Sequence, residues 1–356
     1  MRSLALVVPG RLDGRTGGYI YDRRIAAGLR HLGWSIDVVE LDASFPRPTP
    51  GALARAARAL ATIADGTVAM IDSLALGAMP DLLTLEASRL RIVALIHLPL
   101  AATVGLDFET AARFEDGERR ALRAAALVVV TGRAALPLLA RYTLPADRIV
   151  VVEPGTDPAP LARAYVVSGF SRTSRPLELL SVATLNAGKG HEVLIEALAA
   201  VPQHNWLLTC AGSLTRDPET TARVRAAMAR LGLQDRVTLT GELDEPALAA
   251  CYDRADLFVL ATRQETYGMA VAEALARGLP VVSTRTGAIP ELVGDEAGVV
   301  VPIDDAPALA DALSRVLSDE ALRARLAEGA RRVRDRLPTW DEAAARMAAA
   351  LDSRAA

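Results

Sequence analysis

A single lysine stands among the 40 basic residues of the chain: Lys189, in the run Val182-Ala183-Thr184-Leu185-Asn186-Ala187-Gly188-Lys189-Gly190-His191. Every other basic residue is an arginine, so this position resists the chain's own habit. A compact ammonium flanked by glycines, where a strand gives way to a helix, joins a point charge to free backbone N–H donors, which suits a diphosphate. The spacing is not the GxxxxGK[ST] of a Walker loop. A second glycine-rich stretch, Pro9-Gly10-Arg11-Leu12-Asp13-Gly14-Arg15-Thr16-Gly17-Gly18-Tyr19, follows the first apolar run. Gly17 and Gly18 let the backbone approach a ligand closely, and the helix that follows turns its free N–H groups the same way, a cradle for phosphate. The stretch departs from GxGxxG, which argues against a dinucleotide-dependent dehydrogenase.

Two carboxylates complete the candidate chemistry. Glu265 lies in the loop after the apolar run 257–261, and Glu273 follows eight residues on, about two turns into an otherwise apolar helix. A carboxylate in such a helix costs desolvation unless something donates to it, and ligand hydroxyls would do so. The four histidines, His31, His97, His191 and His204, are scattered, with neither HExxH nor Asp-x-Asp, so no metal site is expected. Cys210 and Cys251 sit in apolar surroundings without CxxC spacing and read as buried reduced thiols.

These residues need a frame to bring them together. A length of 356 residues suits about two domains, and 51% apolar with 23% charged residues suits a globular chain. No apolar run approaches the roughly 18 residues of a membrane span, and the first residues read as a strand rather than a signal peptide, so the cytoplasm is the expected location. A net charge of -3 has the wrong sign for a nucleic-acid partner. Short β-rich runs at 4–8, 36–41, 68–72, 92–97, 127–131 and 149–152 alternate with amphipathic segments such as 20–32, and the alternation resumes at 177–183, 206–211, 237–240, 257–261, 281–284 and 299–301. Strand and helix in strict alternation mean βαβ units and parallel sheets covered on both faces. Helices are expected over 306–317, 320–336 and 340–351, with Asp305 and Thr339 as caps. Between the two series the Pro, Gly and Ser content rises. The reading divides the chain into an N-terminal Rossmann-like domain over 1–160, a linker over 161–176, a second such domain over 177–337, and a C-terminal helix over 338–356 that can return to the first domain.

The Glu265-to-Glu273 spacing followed by Ala-Leu-Ala-Arg-Gly-Leu-Pro-Val-Val resembles the signature of the retaining glycosyltransferases of family 4. The lysine loop, the Gly17-Gly18 segment, Pro154-Gly155-Thr156-Asp157 and Gly287-Ala288-Ile289-Pro290-Glu291 fall in that family's order, so the likeness covers essentially the whole chain. The resemblance implies a GT-B fold: two Rossmann-like, doubly wound parallel-sheet domains facing a central cleft. It implies transfer of a hexose-type sugar, with retained configuration and no metal or other cofactor, from a nucleoside diphosphate (UDP by family habit) to an acceptor hydroxyl.

Carried over by position, Lys189 would pair with the donor phosphates, Glu273 would accept from the ribose and Glu265 would hold a sugar hydroxyl. The amides of Gly268 and Met269 would meet the sugar or distal phosphate, those of Gly17 and Gly18 would complete the cradle, and His97 matches the family's cleft histidine. The chain departs from the family at Thr184, where many members have an arginine; Arg263, Arg285 and Arg15 are the candidates for the missing charge. Acceptor recognition is expected in loops such as 99–107, where Leu98, Leu100, Val104, Leu106 and Phe108 could form an apolar lip, which leaves peripheral membrane contact open. Two other readings share the architecture: a GT-B glycoside phosphorylase and a non-catalytic sugar-nucleotide-binding protein.

Overall fold

The protein is described by a computed structural model covering residues 2–163 and 175–353, so residues 164–174 of the expected linker lie outside the described residues. The chain forms two compact units, one of residues 1–155 with 338–356 and one of residues 156–337.

In the first unit six parallel strands, β1 (Ser3–Pro9), β2 (Ser35–Leu41), β3 (Val68–Asp72), β4 (Arg91–Ile96), β5 (Leu127–Val130) and β6 (Ile149–Val151), pair in the order β2-β1-β3-β4-β5-β6. Central strands such as β3 and β5 are buried at every position, as strands covered on both faces are; β5 is Leu-Val-Val-Val, and β3 ends its apolar run on the buried Asp72. The chain leaves β1 for one side of the sheet and returns at β3 on the other, so the loops after β1 and β3 splay apart at a topological switch point, where open parallel sheets bind ligands. Helix Gly17–His31 covers one face, burying Tyr21, Asp22, Ile25, Ala26 and Leu29. Asp22 therefore occupies the apolar stripe at i, i+3, i+4, i+7.

Helix Trp340–Asp352 belongs to this unit. It opens on a capping box, with Thr339 and Glu342 each accepting from the other's backbone N–H, and buries Ala343, Met347 and Leu351 in the core that holds Leu4, Ile25 and Leu29. It lies so close to Gly17–His31 that a Cβ on Gly28 would come within 2.4 Å of the Ala344 Cβ.

The second unit repeats the plan with β7 (Leu177–Val182), β8 (Trp206–Ala211), β9 (Val237–Gly241), β10 (Leu257–Leu260), β11 (Val281–Thr284) and β12 (Gly298–Val301), in the order β12-β11-β10-β7-β8-β9 and all parallel. Its switch point lies between β7 and β10. Helix Ala306–Ser318 is capped by Asp305, whose Oδ1 accepts from the Ala308 amide at 2.9 Å, and helix Glu320–Arg334 stops two residues short of the expected 336. Among the described residues no helix is long and apolar enough to cross a membrane.

Candidate active site

The two sides of the second switch point carry the two residues whose chemistry is most specific. After β7 the chain makes a 3₁₀ turn, Ala187–Lys189, opened by Asn186, whose Oδ1 accepts from the Gly188 amide at 3.0 Å. After β10 it runs through Thr262 and Arg263 to Glu265. The two loops are fastened by backbone: the Arg263 amide and the Thr262 hydroxyl both donate to the Gly188 carbonyl, at 2.8 and 3.1 Å. The Arg263 guanidinium donates to the Ala187 carbonyl at 2.8 Å and to Asp304 at 2.5 Å. Lys189 Nζ and Glu265 Oε1 form an ion pair, with side chains 24% and 16% exposed, so the pair is largely but not wholly withdrawn from solvent.

Two glycines make this approach sterically workable. Gly190 (φ +63°) has no room for a Cβ, which would lie 2.0 Å from the Ala261 carbonyl oxygen, and at Gly287 (φ +56°) one would lie 2.1 Å from that of Glu265. The loop after β11 thus supports the backbone that presents Glu265. Of the three arginines considered for the charge missing at Thr184, Arg263 is the one that braces the lysine turn. Arg285 is exposed and lines a separate cavity of about 300 Å³ with Arg315 and Arg325, and Arg15 belongs to the other unit.

Gly268, left-handed at φ +101°, is the N-cap of helix Met269–Ala276, and no side chain caps the helix, so its first amides are open to an anion. Glu273 lies one turn into this helix, not two, because the helix begins only at Met269. Its carboxylate is already satisfied in part by protein, since the buried Tyr252 hydroxyl donates to Oε2 at 2.9 Å; Arg277, stacked 4.3 Å from the Tyr252 ring centroid, donates instead to the backbone carbonyl of Glu273 at 3.1 Å. Burial, followed by the Glu273 charge, raises the Tyr252 phenol well above its ordinary range, so it stays a donor. His191 opens the helix after Lys189; it is 2% exposed, neither ring nitrogen has a hydrogen-bond partner among the described residues, and burial, aided by the Lys189 charge, pulls it down to about 4.

In the first unit Gly17 and Gly18 are not a loop before the helix but its first two residues; Thr16, the N-cap, makes no capping bond, which leaves their amides unclaimed. A Cβ on Gly18 would meet His97 Cδ2 at 3.3 Å. His97 follows β4 and turns Nε2 onto two carboxylates, Asp22 Oδ1 at 3.0 Å and Asp72 Oδ2 at 3.3 Å. Burial opposes its cation, but the Asp22 charge and hydrogen bond, joined by Asp72, overcome that and push His97 up to about 10. Donor atoms of the three residues lie within 4.8 Å of one another, a spacing a small cation could use, yet the imidazole N–H already fills the place between the carboxylates. The segment that follows is held by Glu118, whose oxygens accept from the Leu100 amide (2.5 Å), the Ala101 amide (3.2 Å) and the Tyr142 hydroxyl (2.5 Å). Leu100 is thereby buried and drops out of the expected apolar lip, while Phe108 is 91% exposed.

Residues 170–333 match the family model described as "Glycosyl transferases group 1". The chain thus carries a group 1 glycosyl transferase domain. The chain is similar to the D-inositol 3-phosphate glycosyltransferase of Xylanimonas cellulosilytica (34% identical over 242 residues, 65% of this chain and 58% of that protein). It is also similar to the alpha-D-kanosaminyltransferase of Streptomyces kanamyceticus (31% over 221 residues, 60% and 56%). The chain thus spans little more than half the length of these curated relatives. Among solved structures it shares its fold with the sucrose-phosphate synthase from Thermosynechococcus elongatus (TM-score 0.82, 23% identity, 99% of both chains) and with Anabaena HepE in complex with UDP and glucose (TM-score 0.75, 17%, 98% and 99%). The fold is that of the GT-B glycosyltransferases.

Within the group 1 domain the structure gathers Lys189, Thr184, Glu265, Gly268, Met269 and Glu273 on loops and helix starts of one sheet edge; Gly17, Gly18 and His97 gather in the first unit. Sequence reasoning missed Tyr252, Asp22, Asp72 and Glu118. Asp22 left a signal, a charged residue at a stripe position, and Asp72 another, a carboxylate closing an apolar strand; Tyr252 and Glu118 left none, because their partners are 21 and 24 or fewer residues away with no periodic relation.

Proposed function

We propose that the protein is a retaining, metal-independent glycosyltransferase that moves a hexose-type sugar from a nucleoside diphosphate, UDP by preference, to an acceptor hydroxyl. The observation that carries this reading is the Lys189–Glu265 pair, cation and carboxylate from the two sides of one switch point. The names of the relatives, which are sugar transferases, and the UDP bound in the HepE structure support it.

In the free site the two charges satisfy each other. An entering diphosphate takes over Lys189 and the amides at the start of helix Met269–Ala276, which frees Glu265 to accept from a hydroxyl of the sugar. Phosphate capture and sugar placement are thereby one event. As the anomeric bond breaks, negative charge grows on the leaving diphosphate, and preorganised donors stabilise it best where water is excluded. Retention follows from same-face attack, in which the leaving phosphate oxygen takes the acceptor proton and Glu265 positions rather than attacks. Arg263, braced against the lysine turn, is the proposed stand-in for the charge absent at Thr184. Glu273 accepts from the ribose beside Tyr252. Gly17, Gly18 and His97 are the first unit's contribution to the same reaction. Both cysteines are buried free thiols, in keeping with work in the cytoplasm.

Thermal melting with UDP, GDP, ADP and inorganic phosphate, on wild type and Lys189→Ala, tests the reading. A ligand at one hundred times its dissociation constant adds about 2.7 kcal/mol of apparent stability. One nucleoside diphosphate raising the wild-type midpoint but not the mutant's is the expected result. A response to phosphate alone would favour a glycoside phosphorylase, and donor binding without turnover would favour a non-catalytic binding protein.

A further inference from the structure

The Asp22 side chain makes its only hydrogen bond among the described residues to His97. Its carboxylate is fully buried, its Oδ1 faces His97 Nε2 at 3.0 Å, and its Oδ2 has no partner. A carboxylate so placed is tolerable only beside a positive charge, because one neutral hydrogen bond does not replace the water it has lost. The second oxygen on the same ring nitrogen comes from Asp72, whose other oxygen caps helix Ser73–Leu76 through the Leu74 amide at 2.7 Å. Two carboxylate oxygens on one nitrogen require that nitrogen to carry hydrogen. Beyond the two carboxylates, the Tyr21 ring stands edge-on to the imidazole with centroids 5.4 Å apart, Gly18 lies against its Cδ2 side, and the Arg23 cation acts on Asp22 from the next position along the helix. Nδ1 makes no hydrogen bond among the described residues, which leaves it as the nitrogen open to a ligand.

We infer that Asp22 is a positioning residue that fixes His97 with Nε2–H turned inward and holds the imidazole as a cation, so that His97 serves as a fixed N–H donor and positive charge through Nδ1 and never as a general base near neutral pH. The raised affinity of His97 for its proton agrees with this arrangement. That Nδ1 meets a substrate oxygen rests on the glycosyltransferase reading above; the protonation state and the role of Asp22 in setting it do not.

The experiment is therefore split. NMR titration of the substrate-free protein follows the ring signals of its four histidines from pH 5 to 10, with His97 assigned by its loss in His97→Asn. In wild type His97 keeps the imidazolium shift to beyond pH 9, and in Asp22→Asn, which preserves an acceptor for Nε2–H, its midpoint drops by more than one pH unit. Should Asp22→Asn melt below the working temperature, Asp72→Asn carries the same readout with a smaller drop. A wild-type His97 that titrates near 6.5, or a midpoint unmoved in both variants, overturns the inference. In a second arm, kcat/KM for sugar transfer in Asp22→Asn gains an alkaline loss at the lowered His97 midpoint that wild type lacks; the same pH profile in both refutes a role for the charge in turnover. Absence of transfer with every donor tried sinks the glycosyltransferase reading and leaves the titration result standing.

Discussion

Replacing Gly190 by alanine tests whether the approach between the lysine turn and β10 is as tight as the backbone indicates. At φ +63° and ψ 25° any L-residue with a Cβ costs about 1–2 kcal/mol. The new Cβ would also stand 2.0 Å from the Ala261 carbonyl oxygen and 3.0 Å from its carbon, both backbone atoms, so the two loops must part by at least 1 Å to reach even the 3.0 Å below which Cβ contacts are essentially never found. Overpacking of that kind adds about 1–3 kcal/mol, for a total of about 2–5. Gly232→Ala is the control: its φ is +66°, and a Cβ there meets nothing within 4 Å, so only the first cost applies. Urea unfolding can be followed in this unit alone through Trp206, which is 1% exposed, once Trp34 and Trp340, the two other tryptophans, are replaced by phenylalanine. The expected outcome is a loss larger by at least about 1 kcal/mol in Gly190→Ala than in Gly232→Ala, with UDP binding abolished only in the former. Equal losses, or wild-type UDP affinity in Gly190→Ala, would refute the steric argument.

Three further outcomes follow from groups described above. His191 is neutral when folded and binds its proton only near pH 4, against 6.5 unfolded; its contribution is whole above 6.5 and is lost as pH falls from 6.5 to 4, about 3 kcal/mol in all. Melting between pH 7 and 4.5 should show the second unit weakening with acid, and His191→Phe should flatten that slope. Tyr252→Phe removes the donor to Glu273 and is expected to cost about 1–2 kcal/mol and, at the proposed donor site, to shrink the midpoint shift expected from UDP; an unchanged shift would separate Glu273 from the nucleotide. Glu118→Ala leaves the Leu100 and Ala101 amides and the Tyr142 hydroxyl without their acceptor, a loss of about 3–5 kcal/mol, which hydrogen exchange at those two amides should register as lost protection while Glu118→Gln retains most of it.

Much of the fold can be read from periodicity. Runs such as Leu127–Val130 are short, rich in β-branched residues and followed by Thr131-Gly132, and Asp305 and Thr339 stand where helices need acceptors, so local preference and tertiary structure agree. Lys189 is legible for a different reason, since a residue type that occurs once, between glycines, is conspicuous without any structure. The depth of Glu273 in its helix, one turn rather than two, is not legible in the sequence, because Gly268 at φ +101° delays the start of the helix and nothing in the residue type of a glycine states its φ. The partners of buried charges were harder still. Asp22 and His97 are 75 residues apart, and their meeting depends on the order in which β1, β3 and β4 pair, which spacing along a chain does not encode.

The first unit is built from two separated stretches of chain, and this has a consequence for how the protein is made. Its core around Leu4, Ile25 and Leu29 is closed by Ala343, Met347 and Leu351, which leave the ribosome some three hundred residues after the strand they cover. Residues 156–337, by contrast, form a unit from one continuous stretch and can finish folding while that earlier-made core is still open along one helix-wide strip. Synthesis therefore completes the unit it began second before the one it began first, and an interruption just before residue 338 would yield a nascent chain whose second unit is whole while the first still exposes the apolar strip that its last helix covers.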